Sequence, residues 1–287
     1  MARQARLEAA SDQELLAELK DAGKMQRFEL AKEMARRKNA VFVASWRPFL
    51  SGESRDDRCL AGLILASAGE DEGLAVVLEE LAASTAELKS QPALRDRQRI
   101  FQEAQQVRSF AALTLGRIGD PRAVDALIEA TRDPGISSRA ALSLGEIGDR
   151  RAIPALREMA RQQPAERHWA GLALANLCEP EGFELLLDVA RSDMHWTERR
   201  HAVIALGELR FRGAVETLAK ILRGEDVHLR VAAARALGET GDPAALPALR
   251  AALDDQERTI WNEDVSVAEV AEKALRRLES TLGTSPP

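Results

Sequence analysis

Apolar residues recur along the chain at the spacing of one face of an α-helix. The clearest stretch contains Ala111, Leu113, Leu115 and Ile118, then, after a short polar break, Val124, Leu127 and Ile128. Residues three or four positions apart lie on the same side of a helix, so this spacing predicts two amphipathic helices joined by a tight turn. Runs of β-branched and aromatic residues typical of strands are missing, and the pattern therefore predicts an all-α fold.

The polar break has a sequence of its own. A helix-ending Leu-Gly-x-x-Gly-Asp motif occurs at 115–120, 144–149 and 237–242, with degenerate copies at 65–70, 174–179 and 206–211. The second glycine permits a left-handed exit from the first helix, and the aspartate caps the second helix. A period of about 30 residues predicts stacked helical hairpins, each too small to bury its apolar face alone.

These motifs resemble those of the HEAT-repeat superfamily, most closely the bacterial phycobilisome-lyase HEAT-like repeats. The resemblance implies a right-handed α-solenoid. A capping box at 11–14 predicts an N-terminal capping helix within 1–23, followed by a single repeat array over 24–287. We predict repeats at 24–52, 55–92, 97–134, 136–163, 165–194, 197–225 and 227–256, and a half-repeat at 261–283.

One stretch breaks the period. About 20 extra residues lie around 84–102, between the motifs at 65–70 and 115–120. We expect them to lengthen the flanking helices around a kink at Pro92. They are either a tolerated insertion or a functional protrusion.

Composition narrows the class of protein. The net charge of −6 over 287 residues argues against a broad nucleic-acid surface, and no stretch is apolar enough for a membrane span or an export signal. Cys59 and Cys178 fall at helical positions, where we expect buried, reduced thiols. The bias towards alanine and towards arginine over lysine, together with the resemblance, indicates a bacterial cytoplasmic protein that we expect to be a monomer.

We predict no catalytic, cofactor-binding or metal-binding residue and no cofactor. Di-iron hydroxylases with similar repeats carry His-Glu pairs at the starts of first helices. Here only His168 takes such a position, and Trp169 replaces the glutamate. His195 and His201, with Glu198 between them, lack a third ligand at a convincing metal-binding spacing.

The second helices of HEAT-type solenoids line the concave face, so exposed residues at equivalent positions form rows along it. The acid row contains Glu79, Glu129, Glu158 and Asp188. Three residues after the last three acids, the arginine row contains Arg132, Arg161 and Arg191. Residues three apart are neighbours on a helix. The rows form either a self-neutralised, solvated face or a striped groove that binds a segment of another protein.

Two further patterns concern the repeat junctions. We predict that Trp196 and Trp261 lie in loops between repeats, where they anchor an interface or fill the gap between neighbouring repeats. The ladder arginines recur eight residues before the first glycine position of the repeat motif: Arg58, Arg108, Arg167, Arg199 and Arg230. Acids recur at the last position of the motif, four residues after its first glycine position: Glu70, Asp120, Asp149, Glu179 and Asp242. We expect these arginines and acids to form a polar ladder that fixes the stacking of repeats.

The sequence thus predicts a non-catalytic scaffold or adaptor that binds another protein on the concave face. One alternative is a bilin-lyase-type protein that assists attachment of a cofactor to a partner, although aromatic residues suited to a bilin groove are few. A second is a DNA-binding HEAT-like protein. The acid row disfavours it, because phosphates would meet carboxylates.

Overall fold

The computed structural model describes residues 10–21, 30, 33, 37, 40–82, 94–259 and 264–283. Over these residues the secondary structure is helical, apart from one isolated β-bridge between Arg258 and Ser266. The predicted all-α fold is therefore confirmed. The chain divides into two compact units, Met1–Ala152 and Ile153–Pro287. No helix among the described residues has the length and apolarity needed to cross a bilayer.

The first unit contains two helical hairpins followed by the first helix of a third repeat. Its helices are α1 (Asp12–Asp21), α2 (Ala40–Trp46), α3 (Arg55–Ser67), α4 (Asp71–Ala82), α5 (Leu94–Ile118), α6 (Val124–Ala130) and α7 (Ser137–Ile147). Helix α5 packs against α3 and α7, so the first helices of successive repeats form one layer. The second helices α4 and α6 pack against this layer and against each other.

The second unit continues the same arrangement. Its helices are α8 (Ile153–Gln162), α9 (Arg167–Asn176), α10 (Pro180–Arg191), α11 (Trp196–Glu208), α12 (Val215–Ile221), α13 (Val227–Thr240), α14 (Leu246–Ala251) and α15 (Val267–Leu282). The first helices α9, α11, α13 and α15 pack in sequence, with α10, α12 and α14 beside them. Their apolar faces form a continuous core that runs from Leu186 to Leu278.

The predicted turn chemistry is confirmed. Gly119, Gly148 and Gly241 have φ values of 73°, 78° and 69°, in the left-handed region where a Cβ atom is unfavourable. The Asp120 and Asp242 carboxylates each accept a hydrogen bond at 2.9 Å from the backbone N–H two residues later. Each aspartate thus supplies an acceptor to a free amide at the start of the next helical segment.

In two degenerate copies of the motif, a larger residue adopts the left-handed conformation of the glycine. Cys178 has φ 61° and Arg210 has φ 52°. The expectation that both cysteines are buried is therefore wrong for Cys178, which is exposed, whereas Cys59 is buried. Cys178 follows the end of α9, where the chain turns out of the helix, and its side chain lies outside the packed face.

The two irregular stretches follow the sequence prediction in part. Ser11 and Glu14 form the predicted capping box at the start of α1, with Ser11 N–H donating to Glu14 Oε2 at 2.7 Å. Helix α5 has 25 residues, against 11 in α7, so part of the extra sequence lengthens a first helix. Residues 83–93, including Pro92, lie outside the described residues, as does much of the predicted repeat at 24–52.

The ladder arginines do join neighbouring segments, but their partners differ from those predicted. Arg58, Arg108 and Arg230 bind carboxylates 22 to 25 residues later, which belong to Glu80, Asp133 and Asp255 respectively. Arg108 also donates to the Leu81 carbonyl at 3.0 Å. The acids at the last position of the motif serve the second helices instead: Asp120 and Asp242, for example, accept hydrogen bonds from backbone amides there.

Glycine also permits a close helix crossing inside one hairpin. A Cβ atom at Gly182 of α10 would lie 2.3 Å from the Ala175 nitrogen and 2.7 Å from the Gly171 carbonyl oxygen of α9. Both are backbone atoms, so a Cβ atom at this position fits only if the two helices separate. Helices α9 and α10 can therefore pack at this distance only with glycine at 182.

We expect Cys178→Gly to stabilise the protein. Glycine removes a left-handed strain of about 1–2 kcal/mol, offset by an added entropy cost of about 0.5–1 kcal/mol in the unfolded chain. Urea denaturation should show a gain of about 0.5–1 kcal/mol. Cys178→Ala, which keeps a Cβ atom, is the matched control and should leave the midpoint nearly unchanged. Equal denaturation midpoints for the two variants would contradict the presence of left-handed strain at Cys178.

Gly182→Ala should destabilise the protein by about 1–3 kcal/mol in urea denaturation, even though alanine favours helix more than glycine does. The exposed Glu184 of the same helix provides the control, since Glu184→Ala should change stability by less than about 0.5 kcal/mol. A gain in stability for Gly182→Ala would show that α9 and α10 can separate at no cost.

Candidate partner-binding surface

The acid row lies on solvent-accessible positions of four second helices. In the first unit Glu79 is on α4 and Glu129 on α6, and both are exposed. In the second unit Glu158 is on α8 and Asp188 on α10, with side chains 47% and 58% exposed. The neighbouring residues Leu127, Leu156 and Leu186 are fully buried, which fixes the register that points the carboxylates outward.

Two of the three predicted intrahelical ion pairs form. Arg132 pairs with Glu129, and Arg161 pairs with Glu158. The Arg132 and Glu129 side chains remain 70% and 72% exposed. Pairs this exposed contribute about 0–1 kcal/mol because water screens both charges. Arg132 and Glu129 can therefore exchange partners at little cost in free energy.

The third predicted pair does not form. Asp188 pairs with Arg167 at 3.6 Å, and Arg191 instead donates through Nε and Nη2 to Thr217 Oγ1, at 3.0 and 2.7 Å. Arg191 is the last residue of α10 and reaches the neighbouring second helix α12. Thr217 is only 3% exposed, and its buried hydroxyl needs a hydrogen-bond partner, which Arg191 supplies.

Arg191 thereby lines a cleft of about 540 Å³ in the second unit. The cleft is also lined by Arg199, Thr217, Lys220, Gly224, Glu225 and Asp226. Lys220 pairs with Glu216 at 2.7 Å, and Asp226 caps α13 by accepting from the Leu229 N–H at 3.0 Å. Sequence reasoning missed this cleft, because its lining residues come from four helices and the loops between them.

A cluster of stacked rings lies between α9 and α11. The His168 and His201 rings stack with centroids 5.1 Å apart, and Trp169 packs on both at 4.7 and 5.1 Å. His168 is 4% exposed, and neither of its ring nitrogens makes a hydrogen bond of good geometry. Among the described residues no group of three or more His, Cys, Asp or Glu side chains is arranged to hold a metal ion. The three rings pack against one another between α9 and α11.

Burial lowers the pKa of His168 to about 4, with a further lowering from the neighbouring His201. The Glu198 carboxylate and the Ala165 backbone oppose this shift, but burial outweighs them. Burial also lowers the pKa of His201, and the Arg200 guanidinium lowers it further. Both rings are therefore mostly neutral at pH 7.

Trp196 is the first residue of α11 and does not lie in a loop, as the sequence had suggested. Its ring stacks on His228 of the next repeat, with centroids 4.9 Å apart, and packs against the core of the second unit. His195, just before it, accepts from the Thr197 N–H at 3.4 Å as a helix cap. Trp196 thus fills the gap between two repeats. Trp261 lies outside the described residues.

The chain belongs to the HEAT repeat family. The family model for HEAT repeats matches residues 97–175 and 183–264, which together exceed half of the chain, and confirms the resemblance inferred from the Leu-Gly-x-x-Gly-Asp motifs. No curated protein sequence matches this chain.

Several solved structures are similar. The Escherichia coli protein YibA is 18% identical, with 96% of this chain and 94% of that chain covered and a TM-score of 0.46. The complex of CpcE and CpcF of phycocyanin lyase from a Nostoc species is 20% identical, with coverage of 82% and 94% and a TM-score of 0.47. Human deoxyhypusine hydroxylase is 22% identical, with coverage of 93% and 96% and a TM-score of 0.38.

Because His168 has a lower pKa in the folded than in the unfolded protein, the unfolded chain binds more protons between pH 6.5 and about 4. Its contribution to stability is fully present above pH 6.5 and is lost as the pH falls through this window, by about 3 kcal/mol in total. Urea denaturation at a series of pH values should show this slope. His168→Phe, which keeps a ring but cannot titrate, should reduce the slope and leave the part that the lowered pKa of His201 contributes; an unchanged slope would contradict the assignment.

Proposed function

We propose that this protein is a non-catalytic scaffold or adaptor that binds a segment of another protein on the exposed face of its second helices. One observation supports this most directly: successive second helices present an accessible carboxylate at the same position, at Glu79, Glu129, Glu158 and Asp188. Repeat arrays of this family offer extended surfaces that other proteins bind.

The ion pairs on this face are weak, and a surface whose ion pairs are weak can bind a partner reversibly. Glu129 is held by the exposed Arg132, and Glu158 by the exposed Arg161 and by the side-chain amide of Gln162. A partner that brings lysine or arginine to these acids replaces one solvated ion pair by another, and the burial of its apolar residues can then decide the affinity. Complementary charges also set the register of the partner and speed its association.

The proposed setting is a bacterial cytoplasm, and we propose that the protein acts as a monomer. The arginine-rich, alanine-rich composition fits this setting, as do the two free thiols Cys59 and Cys178.

The test reverses the charge of the acid row. We expect wild-type protein to recover a specific partner from a lysate of the source organism, and a Glu129→Lys/Glu158→Lys/Asp188→Lys variant to recover at least about tenfold less, since each new lysine repels the basic residues of the partner. Recovery is quantified by mass spectrometry. Far-UV circular dichroism should show equal helix content, since only exposed ion pairs are lost.

The control is Glu146→Lys/Glu208→Lys/Glu272→Lys, which makes the same change of net charge at exposed positions of α7, α11 and α15. It should recover the partner as wild type does. Equal recovery by the acid-row variant would remove the support for this face as the binding surface. Recovery of a coloured bilin protein would favour the lyase-type alternative, and salt-sensitive binding of DNA would favour the nucleic-acid alternative.

A further inference from the structure

Two arginines in the cleft beside α12 have no carboxylate partner. Arg191 donates only to the Thr217 hydroxyl, and Arg199 donates to the Ala190 carbonyl at 3.3 Å. No carboxylate of the described chain lies within 4 Å of either guanidinium. Two positive charges thus face a solvent-accessible space of about 540 Å³ without an ion-pair partner among the described residues, although Arg191 lies near enough to the Glu216 carboxylate to help lower its pKa.

The arginines at equivalent positions of other repeats are paired. In the arginine row, Arg132 and Arg161 each bind the glutamate three residues earlier. The other four ladder arginines also bind carboxylates: Arg58 binds Glu80, Arg108 binds Asp133, Arg167 binds Asp188, and Arg230 binds Asp255 and Glu257. The missing ion pairs are therefore particular to the repeat formed by α11 and α12 and its junction with α10.

The repeat register shows which carboxylate is missing beside Arg199. The residue 25 positions after the ladder arginine is Asp133 in one repeat and Asp255 in another, and both bind their arginine. After Arg199 the same position is occupied by Gly224, which lines the cleft. Of the other acids there, Asp226 is engaged as the cap of α13, and the Glu225 carboxylate forms no ion pair within the described chain.

We propose that this cleft binds a carboxylate of an acidic segment of a partner protein, in the place that Asp133 and Asp255 fill in other repeats. Arg191 and Arg199 donate to the carboxylate, and Lys220 adds charge at the rim. The Thr217 hydroxyl, which accepts from Arg191 and donates to no described residue, supplies a further donor. Arginine guanidinium groups bind carboxylates with two parallel, charge-assisted hydrogen bonds.

The surroundings favour a single carboxylate over a nucleic-acid backbone. Glu225, Asp226 and Glu216 lie at or beside the cleft. They would repel a run of phosphates, whereas one acidic side chain can enter between them. The proposal rests on the proposed function, because it takes the ligand to be a segment of a bound protein, and it assigns that segment an acidic residue.

The experiment measures fluorescence anisotropy of the full chain with a fluorescein-labelled peptide that carries one glutamate flanked by glycine and serine, at low ionic strength. The same peptide with glutamine in place of the glutamate is the probe control. Wild type should bind the glutamate peptide and not the glutamine peptide. Arg191→Gln/Arg199→Gln should weaken binding at least tenfold. Arg212→Gln/Arg276→Gln, an equal charge change at exposed sites outside the cleft, should bind as wild type does.

A second variant keeps both arginines. Gly224→Asp introduces the acid found at the same position after Arg108 and Arg230. Its carboxylate should bind Arg199, weaken binding of the glutamate peptide at least tenfold and leave the thermal midpoint unchanged or raised. A Cβ atom at this position would lie 3.1 Å from the Ile221 carbonyl oxygen, which a small shift accommodates. Equal binding by wild type, Gly224→Asp and the arginine variant would overturn the proposal. The proposal is also overturned if wild type does not bind the peptide. It is overturned as well if a single-stranded oligonucleotide displaces the peptide more readily than free glutamate does.

Failure here can be distinguished from failure of the proposed function. If Arg191→Gln/Arg199→Gln captures the lysate partner as wild type does, the cleft proposal falls and the acid row still stands. If the acid-row variant keeps its partner, the proposed surface falls, and the peptide titration decides on the cleft by itself.

Discussion

The structure depends on one constraint: a hairpin of two short helices cannot bury its own apolar surface. In α13, ten of fourteen residues are buried, because α11 covers one side and α15 the other. No isolated hairpin provides cover on both sides, so the core is continuous along the second unit from Leu186 to Leu278. Small residues keep the layers close, and the contact of Gly182 with the α9 backbone shows how little space remains.

Apolar packing alone would let neighbouring hairpins slide, and the ladder arginines oppose this. Arg230 is 7% exposed and donates to two carbonyls, at Gly224 and Glu225, and to two carboxylates, at Asp255 and Glu257. A guanidinium is stable in a buried site only when its N–H groups have hydrogen-bond partners. These hydrogen bonds therefore select one relative position of the segments. The direction of a guanidinium bond limits rotation as well as sliding.

Much of this fold follows from the sequence because its determinants are local. The left-handed turn at Gly148 and the cap by Asp120 involve residues within one short segment, and the motif predicts both. The exposed position of the acid row likewise follows from helical periodicity. Cys178 was misassigned because periodicity describes the helix and not the residue that leaves it. The partner of Arg191 was missed for a different reason: Thr217 belongs to another repeat, and helical spacing carries no information about which of two side chains an arginine will reach.

The repeat register gives the missing information at the cleft. The acid 25 residues after a ladder arginine is present in two repeats. Arg58 and Arg167 lack it but bind Glu80 and Asp188 instead, so Arg199 is the ladder arginine without a carboxylate partner among the described residues. Asp133 and Asp255 show that an acid 25 residues after a ladder arginine binds that arginine. After Arg199 the residue at the same distance is Gly224, so the arginine is present and the acid is not. An arginine kept without its acid adds unneutralised charge to the cleft and stabilises the stack less than its paired equivalents. That arrangement is consistent with an anion supplied from outside the chain. A repeat protein can thus form a binding site by removing one structural carboxylate, with no change in fold.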